Sequence, residues 1–133
     1  MRISQALIDE IVAHSREDLP NECCGIIGGR NGEMTSVHRA RNKEATWLRY
    51  EIHASDLFRI TEREIPEAGE EVVGFYHSHT KSPAEPSQTD INLAEAWPGV
   101  LQLICSLEHD DAPVVRAYNL DDKRVEEVEL DVV

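Results

Sequence analysis

Apolar positions in the first half of the chain switch between helical and strand spacing. Residues 3–18 predict a first helix, because their apolar side chains recur every three to four positions: Ile3, Leu7, Ile8, Ile11 and Val12. The run CCGIIGG at 23–29 predicts a short buried strand, and the following Asn31-Gly32 predicts a hairpin turn into a strand at 34–39. Apolar and polar residues alternate over 47–53, which predicts a further strand.

The second half of the chain repeats this alternation and ends in strands alone. Residues 54–69 predict a helix with Ser55 as its N-cap, and the run EVVGFYHSH at 71–79 predicts a buried strand. Another helix is predicted over 87–97, where Pro98-Gly99 ends it. The remaining apolar runs predict three strands joined by the turn sequences HDDAP and DD; they cover residues 100–107, 114–120 and 124–130.

Interleaved helices and strands that give way to three consecutive strands are typical of an α/β fold. We therefore predict a single layered domain over residues 1–133, with a mixed β-sheet flanked by helices. An apolar fraction of 41% suits a globular protein, and there is no run of about 18 apolar residues that would predict a membrane span. The first residues carry acidic side chains within the helical pattern and no small-residue cleavage site, so we expect a helix rather than a signal peptide, and a cytoplasmic protein.

The formal net charge of −13 bears on the choice of partner. It argues against nucleic acid, whose phosphates would be repelled, and favours a partner with a basic or neutral face. Solubility alone is an equally good explanation of the charge. The three cysteines, Cys23, Cys24 and Cys105, form no CxxC pair, so we predict reduced and buried thiols.

Two histidines close the strand predicted at 71–79. His77 and His79 are separated by Ser78, and because side chains alternate between the two faces of a strand, both imidazoles point the same way. Two residues span about 6.6 Å of strand, from which two imidazoles can converge on one metal ion. An HxH sequence also occurs by chance, so this pair alone does not establish a metal site.

The helix predicted after residue 87 brings a carboxylate back toward these histidines. SQTD, residues 87–90, has the form of a capping box, with Ser87 as N-cap and Asp90 at the third helical position. That structural role explains both residues by itself, but it is compatible with a second one. A helix whose N-terminus faces the strand end presents Asp90 to the histidines and leaves the Ser87 hydroxyl beside the ion.

Two histidines and one carboxylate are typical of a catalytic zinc site, which keeps a fourth position open, whereas structural zinc sites are usually closed by four ligands. Zinc lowers the pKa of a bound water to about 7. The chemistry also needs a carboxylate outside the metal shell, which takes a proton from water and passes it to the leaving amine. From the residues alone, a solvated loop carboxylate is the preferred interpretation of Glu22, and Glu85, inside the loop between the ligands, is the local alternative.

The joint pattern HSHTKSPAEPSQTD, which is HxH followed by seven residues and SxxD, resembles the JAMM (MPN-plus, Mov34-type) zinc metalloproteases. The family pattern adds an upstream glutamate with a cysteine and a glycine after it, and LPNECCGIIGG supplies Glu22, Cys24 and Gly25. The order of predicted elements matches over nearly the whole chain. The resemblance therefore implies a JAMM/MPN-like fold, related in architecture to cytidine deaminases, and a zinc peptidase activity.

The resemblance also assigns roles to individual residues. It implies one Zn²⁺ per chain, bound by His77, His79 and Asp90. It makes Glu22, rather than Glu85, the general acid and base that holds the catalytic water. Ser87 becomes the residue that hydrogen-bonds the tetrahedral oxyanion.

The chain departs from the family pattern in ways that bear on the substrate. Thr80 follows the second histidine where many members have proline, and the prolines of this loop are Pro83 and Pro86. HSHT is similar to the short bacterial members that remove cysteine from sulfur-carrier proteins during cysteine biosynthesis, and the long insertions of deubiquitinating members are missing. This resemblance implies a peptidase that cuts after the Gly-Gly tail of a ubiquitin-like sulfur carrier and releases cysteine, as a monomer or a homodimer.

Three alternative functions stay open at this point. The chain could be a deubiquitinase-like isopeptidase that acts on another ubiquitin-like modifier. It could be a non-catalytic MPN scaffold subunit, although such subunits have usually lost ligands and all five positions are present here. A zinc deaminase of related architecture would need a PCxxC pair, which the sequence does not contain.

Overall fold

The computed structural model describes residues 1–44 and 50–133, and its central feature is an eight-stranded mixed sheet. In chain order the strands are β1 (Arg2–Ile3), β2 (Cys24–Arg30), β3 (Glu33–Ala40), β4 (Glu71–His79), β5 (Leu101–Ser106), β6 (Val114–Asn119), β7 (Glu126–Val128) and β8 (Asp131–Val132). Their order across the described sheet is β7-β6-β5-β4-β2-β3-β1-β8. Strands β4 and β5 are parallel, whereas β5, β6 and β7 form an antiparallel meander. The predicted mixed α/β fold is confirmed.

Helices cover both faces of this sheet. They are α1 (Gln5–Glu17), α2 (Ala54–Arg59), which continues through a π-helical turn (Ile60–Glu64) into α3 (Ile65–Glu67), and α4 (Gln88–Leu93), which ends in a 3₁₀ turn (Ala94–Ala96). A further 3₁₀ turn (Asp121–Lys123) joins β6 to β7. None of the helices in the described ranges combines the length and apolar character needed to cross a bilayer.

The core is divided by the sheet. On one face α1 packs its apolar side against Ile27, Tyr76 and Leu103. On the other face the α2–α3 segment covers a cluster that includes Ile26 and Phe75. Burying apolar side chains on both faces fixes the strand register, because a shift by one residue would exchange the two sets.

The hairpin between β2 and β3 forms where Asn31-Gly32 predicts it. Both residues have positive φ, 52° for Asn31 and 76° for Gly32, which is the backbone that a two-residue type I′ turn requires. β2 pairs with β3 on one side and with β4 on the other, and both pairings are antiparallel. The start of β2 therefore lies beside the end of β4.

The first helix begins later than its apolar pattern predicts. Ser4 caps α1, with its Oγ accepting the Leu7 N–H at 3.2 Å, and Ile3 belongs to β1 instead. A strand of two residues has no periodicity of its own, so Ile3 could not be distinguished from the helix that follows. The short β8 (Asp131–Val132), which pairs with β1, was missed for the same reason.

The helix predicted at 54–69 is present, but its predicted cap is wrong. His53 precedes α2 and accepts the Ser55 N–H on its imidazole at 3.3 Å, so Ser55 lies inside the helix. The π-helical turn at Ile60–Glu64 was also not predicted, although the five-residue step between the buried Ile60 and Ile65 is the spacing that an i→i+5 turn places on one face.

Three further predictions need adjustment. The strand predicted at 47–53 lies partly outside the described residues; of its remainder, Ile52 makes only an isolated bridge with Asn42. The helix predicted at 87–97 is α-helical only to Leu93, and the strand predicted at 124–130 is paired only over Glu126–Val128.

Candidate metal centre

The end of β4 places two imidazoles side by side on the α2 face of the sheet. His77 is opposite Cys24 of β2, and both histidines are buried, with His77 fully so. Ser78 points to the α1 face, where its Oγ accepts the Cys23 N–H at 2.8 Å. The alternation predicted for HxH is therefore present.

The first turn of α4 brings the carboxylate to these histidines. Ser87 Oγ accepts the Asp90 N–H at 3.1 Å, and Asp90 Oδ2 accepts the Ser87 N–H at 2.9 Å, which completes the predicted capping box. The two bonds fix the Asp90 side chain before any metal is considered, because the carboxylate is tied back to the helix start.

The three side chains converge on one point. His77 Nε2 lies 3.2 Å from His79 Nε2 and 3.2 Å from Asp90 Oδ1, while His79 Nε2 lies 3.1 Å from Asp90 Oδ2. Donor atoms around a tetrahedral zinc at 2.0–2.1 Å are about 3.3 Å apart, so the observed spacing fits such an ion. The group is the one cluster of three or more metal-binding side chains in the part of the chain that the structure describes.

Electrostatics keeps the carboxylate of this group ionised. Burial by itself would raise the pKa of Asp90, but His77, His79 and the Ser87 N–H outweigh it and hold that pKa well below its usual range. For His79, burial acts to lower the pKa, but the hydrogen bonds to Asp90 and to the Pro83 carbonyl raise it overall. A metal ligand must be deprotonated, and Asp90 meets this requirement at neutral pH.

The loop between the ligands is anchored to the sheet by its own carbonyl groups. His79 Nδ1–H donates to the Pro83 carbonyl at 2.9 Å, which leaves Nε2 free to bind an ion. Ser106 Oγ donates to the Ser82 carbonyl and the Tyr118 hydroxyl to the Ala84 carbonyl, both at 2.6 Å. The loop therefore fixes the Nδ1 side of the His79 ring, opposite Nε2, through a backbone carbonyl that no side-chain motif could reveal.

Glu22 lies on the same face as the histidines. Because β2 runs antiparallel to β4 with Cys24 opposite His77, stepping back two residues along β2 leads to the neighbourhood of His79. Glu22 is buried, and burial raises the pKa of its carboxyl to about 7, with a smaller increase from Asp90 and an opposing effect of His79. A carboxyl with this pKa can both accept and donate a proton at neutral pH.

Glu85, the local alternative, is exposed and faces elsewhere. It lines a small cavity with Ser106 and Arg116, and none of the three clustered residues contributes to that cavity. Glu22, in contrast, interacts electrostatically with His79 and Asp90. The geometry therefore favours Glu22 over Glu85 as the proton carrier.

The glycine of the ECCG sequence has a steric role behind the site. A Cβ on Gly25 would lie 2.2 Å from the ring of Tyr76, which crosses β2 at this point. The Tyr76 hydroxyl reaches His14 Nδ1 of α1 at 2.7 Å, so Gly25 lets α1 and β4 close over the start of β2. The cysteines beside it, Cys23 and Cys24, are buried free thiols, as predicted, and burial raises the pKa of both.

Two residues near the site escaped the sequence patterns. Asn42 Nδ2 donates to the Glu22 carbonyl at 3.0 Å, and Tyr50 stacks on the imidazole of His77. Both lie in the segment between β3 and α2; no motif marks Asn42, and the alternation over 47–53 that includes Tyr50 predicts a strand but no contact with the site.

Known proteins that resemble this chain agree with the fold. Residues 4–121 match the family described as prokaryotic homologs of the JAB domain, so the chain belongs to this family of JAMM-type hydrolases. A desampylase of Haloferax volcanii is 40% identical over 105 residues, 74% of each chain. A CysO-cysteine peptidase of Mycobacterium tuberculosis is 31% identical over 96% of this chain and 87% of the relative. A solved structure from Desulfitobacterium hafniense has a TM-score of 0.89 and 28% identity, covering 99% of this chain and 92% of that one.

Proposed function

We propose that the chain is a zinc-dependent peptidase that hydrolyses the amide bond after the Gly-Gly tail of a ubiquitin-like sulfur-carrier protein and releases cysteine. The convergence of His77, His79 and Asp90, with Glu22 on the same face, is the observation that carries the proposal. His77, His79 and Asp90 would hold the ion. When bound, zinc supplies Lewis-acid polarisation of the scissile carbonyl and makes water more acidic.

The remaining steps belong to the chain itself. With a pKa of about 7, Glu22 takes the proton of the attacking water and returns it to the nitrogen of the leaving amine. Ser87 Oγ already accepts the Asp90 N–H, but its own O–H proton is not used by that bond and can be donated to the oxyanion. The capping role and the catalytic role of Ser87 are therefore compatible.

The two relatives support the wider activity and differ on the finer one. Their names support an isopeptidase that acts on a ubiquitin-like small protein, and they favour a catalytic chain over a scaffold subunit. The name CysO-cysteine peptidase supports release of cysteine, whereas the name desampylase supports the alternative function, an isopeptidase that acts on another ubiquitin-like modifier. The buried free thiols agree with a reducing cytoplasm as the site of action.

A mass-spectrometric assay tests substrate and chemistry together. The substrates are a carrier ending in Gly-Gly-Cys, the same carrier ending in Gly-Ala-Cys, the carrier joined to a lysine side chain, and linked ubiquitin chains. We expect rapid cleavage of the first, little of the second, and loss of activity with a chelator that added zinc restores. Cleavage of ubiquitin chains without cleavage of any of the three carrier substrates would overturn the proposed substrate and leave only the peptidase chemistry.

A further inference from the structure

The two histidines of the metal centre are oriented by different means. His79 is held through its Nδ1–H, which donates to the Pro83 carbonyl at 2.9 Å. His77 Nδ1 is buried and has no hydrogen-bond partner among the described residues. A histidine ligand usually donates its second ring N–H to a carboxylate, a carbonyl or a water. No hydrogen bond from a described residue to Nδ1 sets the plane of the His77 ring, whereas aromatic rings do contact it.

The ring of Tyr50 supplies such a contact. The Tyr50 and His77 rings are stacked, with centroids 4.4 Å apart and planes inclined by 20°. The His79 ring meets His77 edge-on, at 5.0 Å and 61°. Rotation about the last side-chain bond of a histidine is otherwise only weakly restricted, but here it would drive the imidazole into the buried Tyr50 ring.

Tyr50 is itself held by the neighbouring backbone. Asn42 Oδ1 accepts the Glu51 N–H at 3.0 Å, and the Glu51 carbonyl accepts the Lys43 N–H at 2.7 Å. Asn42 also donates to the Glu22 carbonyl, so the residues that follow Tyr50 are tied to the backbone that carries the candidate base. The position of the stacking ring is thus coupled to the rest of the site.

We propose that Tyr50 is a positioning residue of the metal centre, whose ring fixes the plane of His77 so that Nε2 faces Asp90. The inference rests on the proposed function only in requiring that His77, His79 and Asp90 bind zinc. It adds a residue that makes no bond to the ion and that acts through stacking alone. The phenol hydroxyl has no part in it, so phenylalanine should replace tyrosine without loss.

Zinc affinity is the direct test, because it needs no substrate. It can be measured by competition with a chromophoric chelator for the unmodified chain, Tyr50→Phe, Tyr50→Met and Phe75→Met. Phe75 is the matched control, since its ring lies in the same apolar cluster but packs edge-on against Trp97 at 5.0 Å. We expect Tyr50→Met to weaken zinc binding by about 10–100-fold, the usual effect of losing a group that orients a ligand, and the other two variants to stay within about twofold.

Several outcomes would overturn the proposal. Equal zinc affinity in Tyr50→Met and the unmodified chain would do so, as would an equal loss in Phe75→Met, because the effect would then come from general packing. Absence of zinc binding in the unmodified chain would overturn this proposal and the proposed function together. If Tyr50→Met does not fold, the NMR shifts of the His77 ring protons in the metal-free chain decide: upfield displacement by the stacked ring supports the proposal, and ordinary shifts contradict it.

Discussion

Replacing Glu22 by glutamine should stabilise the metal-free protein at alkaline pH while it removes activity. The ordinary pKa of a glutamic acid is 4.5, and burial raises that of Glu22 to about 7. Between these values the folded chain binds more protons than the unfolded chain, so the free energy of unfolding falls as the pH rises through this window. Above pH 7 the folded protein carries the full cost of a buried carboxylate, a cost that glutamine does not have.

The size of this cost can be worked from the structure. A change from 4.5 to about 7 corresponds to about 3 kcal/mol, at roughly 1.4 kcal/mol for each pH unit. Glu22 also borders an open cleft of about 790 Å³, from which water can solvate the carboxylate, so we take about half of that figure, roughly 1 to 2 kcal/mol. The expected gain in unfolding free energy for Glu22→Gln is therefore close to zero at pH 4 and roughly 1 to 2 kcal/mol at pH 8.5.

Urea unfolding in the presence of a chelator measures this difference. Glu85→Gln serves as the control, because Glu85 is exposed and its carboxylate carries no burial cost that glutamine would remove. Turnover of the zinc-loaded Glu22→Gln protein should fall by about 10²–10⁴-fold, since an amide cannot accept the proton of water. If Glu22→Gln gains no stability between pH 4 and pH 8.5, or keeps near-full turnover while Glu85→Gln loses it, the reasoning about the buried base is wrong.

Four further outcomes can be checked independently. His77→Ala should purify with little zinc by elemental analysis, and full zinc occupancy would contradict the site. Ser87→Ala should lower kcat by about 10²–10³-fold and cost only ~1 kcal/mol of stability. Ser87→Asp should keep the helix cap but show the same loss of kcat. A drop in Tm with unchanged kcat would leave capping as the sole role of Ser87. The hydrogen bond from Arg41 holds the pKa of Asp56 below its usual range, so this carboxylate stabilises the fold above pH 3.8. The loss of Tm in Asp56→Asn should shrink as the pH falls below that value. A loss that does not depend on pH would contradict this reasoning. Because the chain has a net charge of −13, the kcat/KM for a basic carrier should fall as the salt concentration rises from ~0.05 to ~1 M. Kinetics that do not depend on salt would refute electrostatic steering.

The parts of the site that could be predicted from the sequence are those with local spacing rules. His77 and His79 share a face because strands alternate, and Ser87 and Asp90 form a capping box because its spacing is fixed by the first helical turn. Glu22 was different, since from the residues alone a solvated loop carboxylate was the preferred explanation. Only the pairing of Cys24 with His77 brings it to the metal centre, and that pairing joins residues more than fifty positions apart.

The contacts that hold the site in place could not be predicted, because they are made by backbone groups and by rings without a motif. The Pro83 carbonyl fixes His79, and the Asn42 amide fixes the backbone of Glu22, but neither residue type implies such a role. Ser55 shows a different kind of error. Serine is a good capping residue and was predicted as the N-cap of α2, but the N-cap is His53, two residues earlier. Propensity therefore identified the helix but not its first residue.

The two outermost strands of the sheet, β7 and β8, come from seven consecutive residues, Glu126–Val132, although they lie at opposite ends of the strand order. One short acidic segment thus covers both edges of the sheet. Short, negatively charged edge strands pair poorly with strands of another molecule and so disfavour aggregation. Removing residues 126–133 would uncover the six-residue edge of β6 and the edge of β1 at once. A protein that loses this segment, and with it Val128 and Leu130 of the core margin, should lose its solubility, with turbidity that rises with protein concentration.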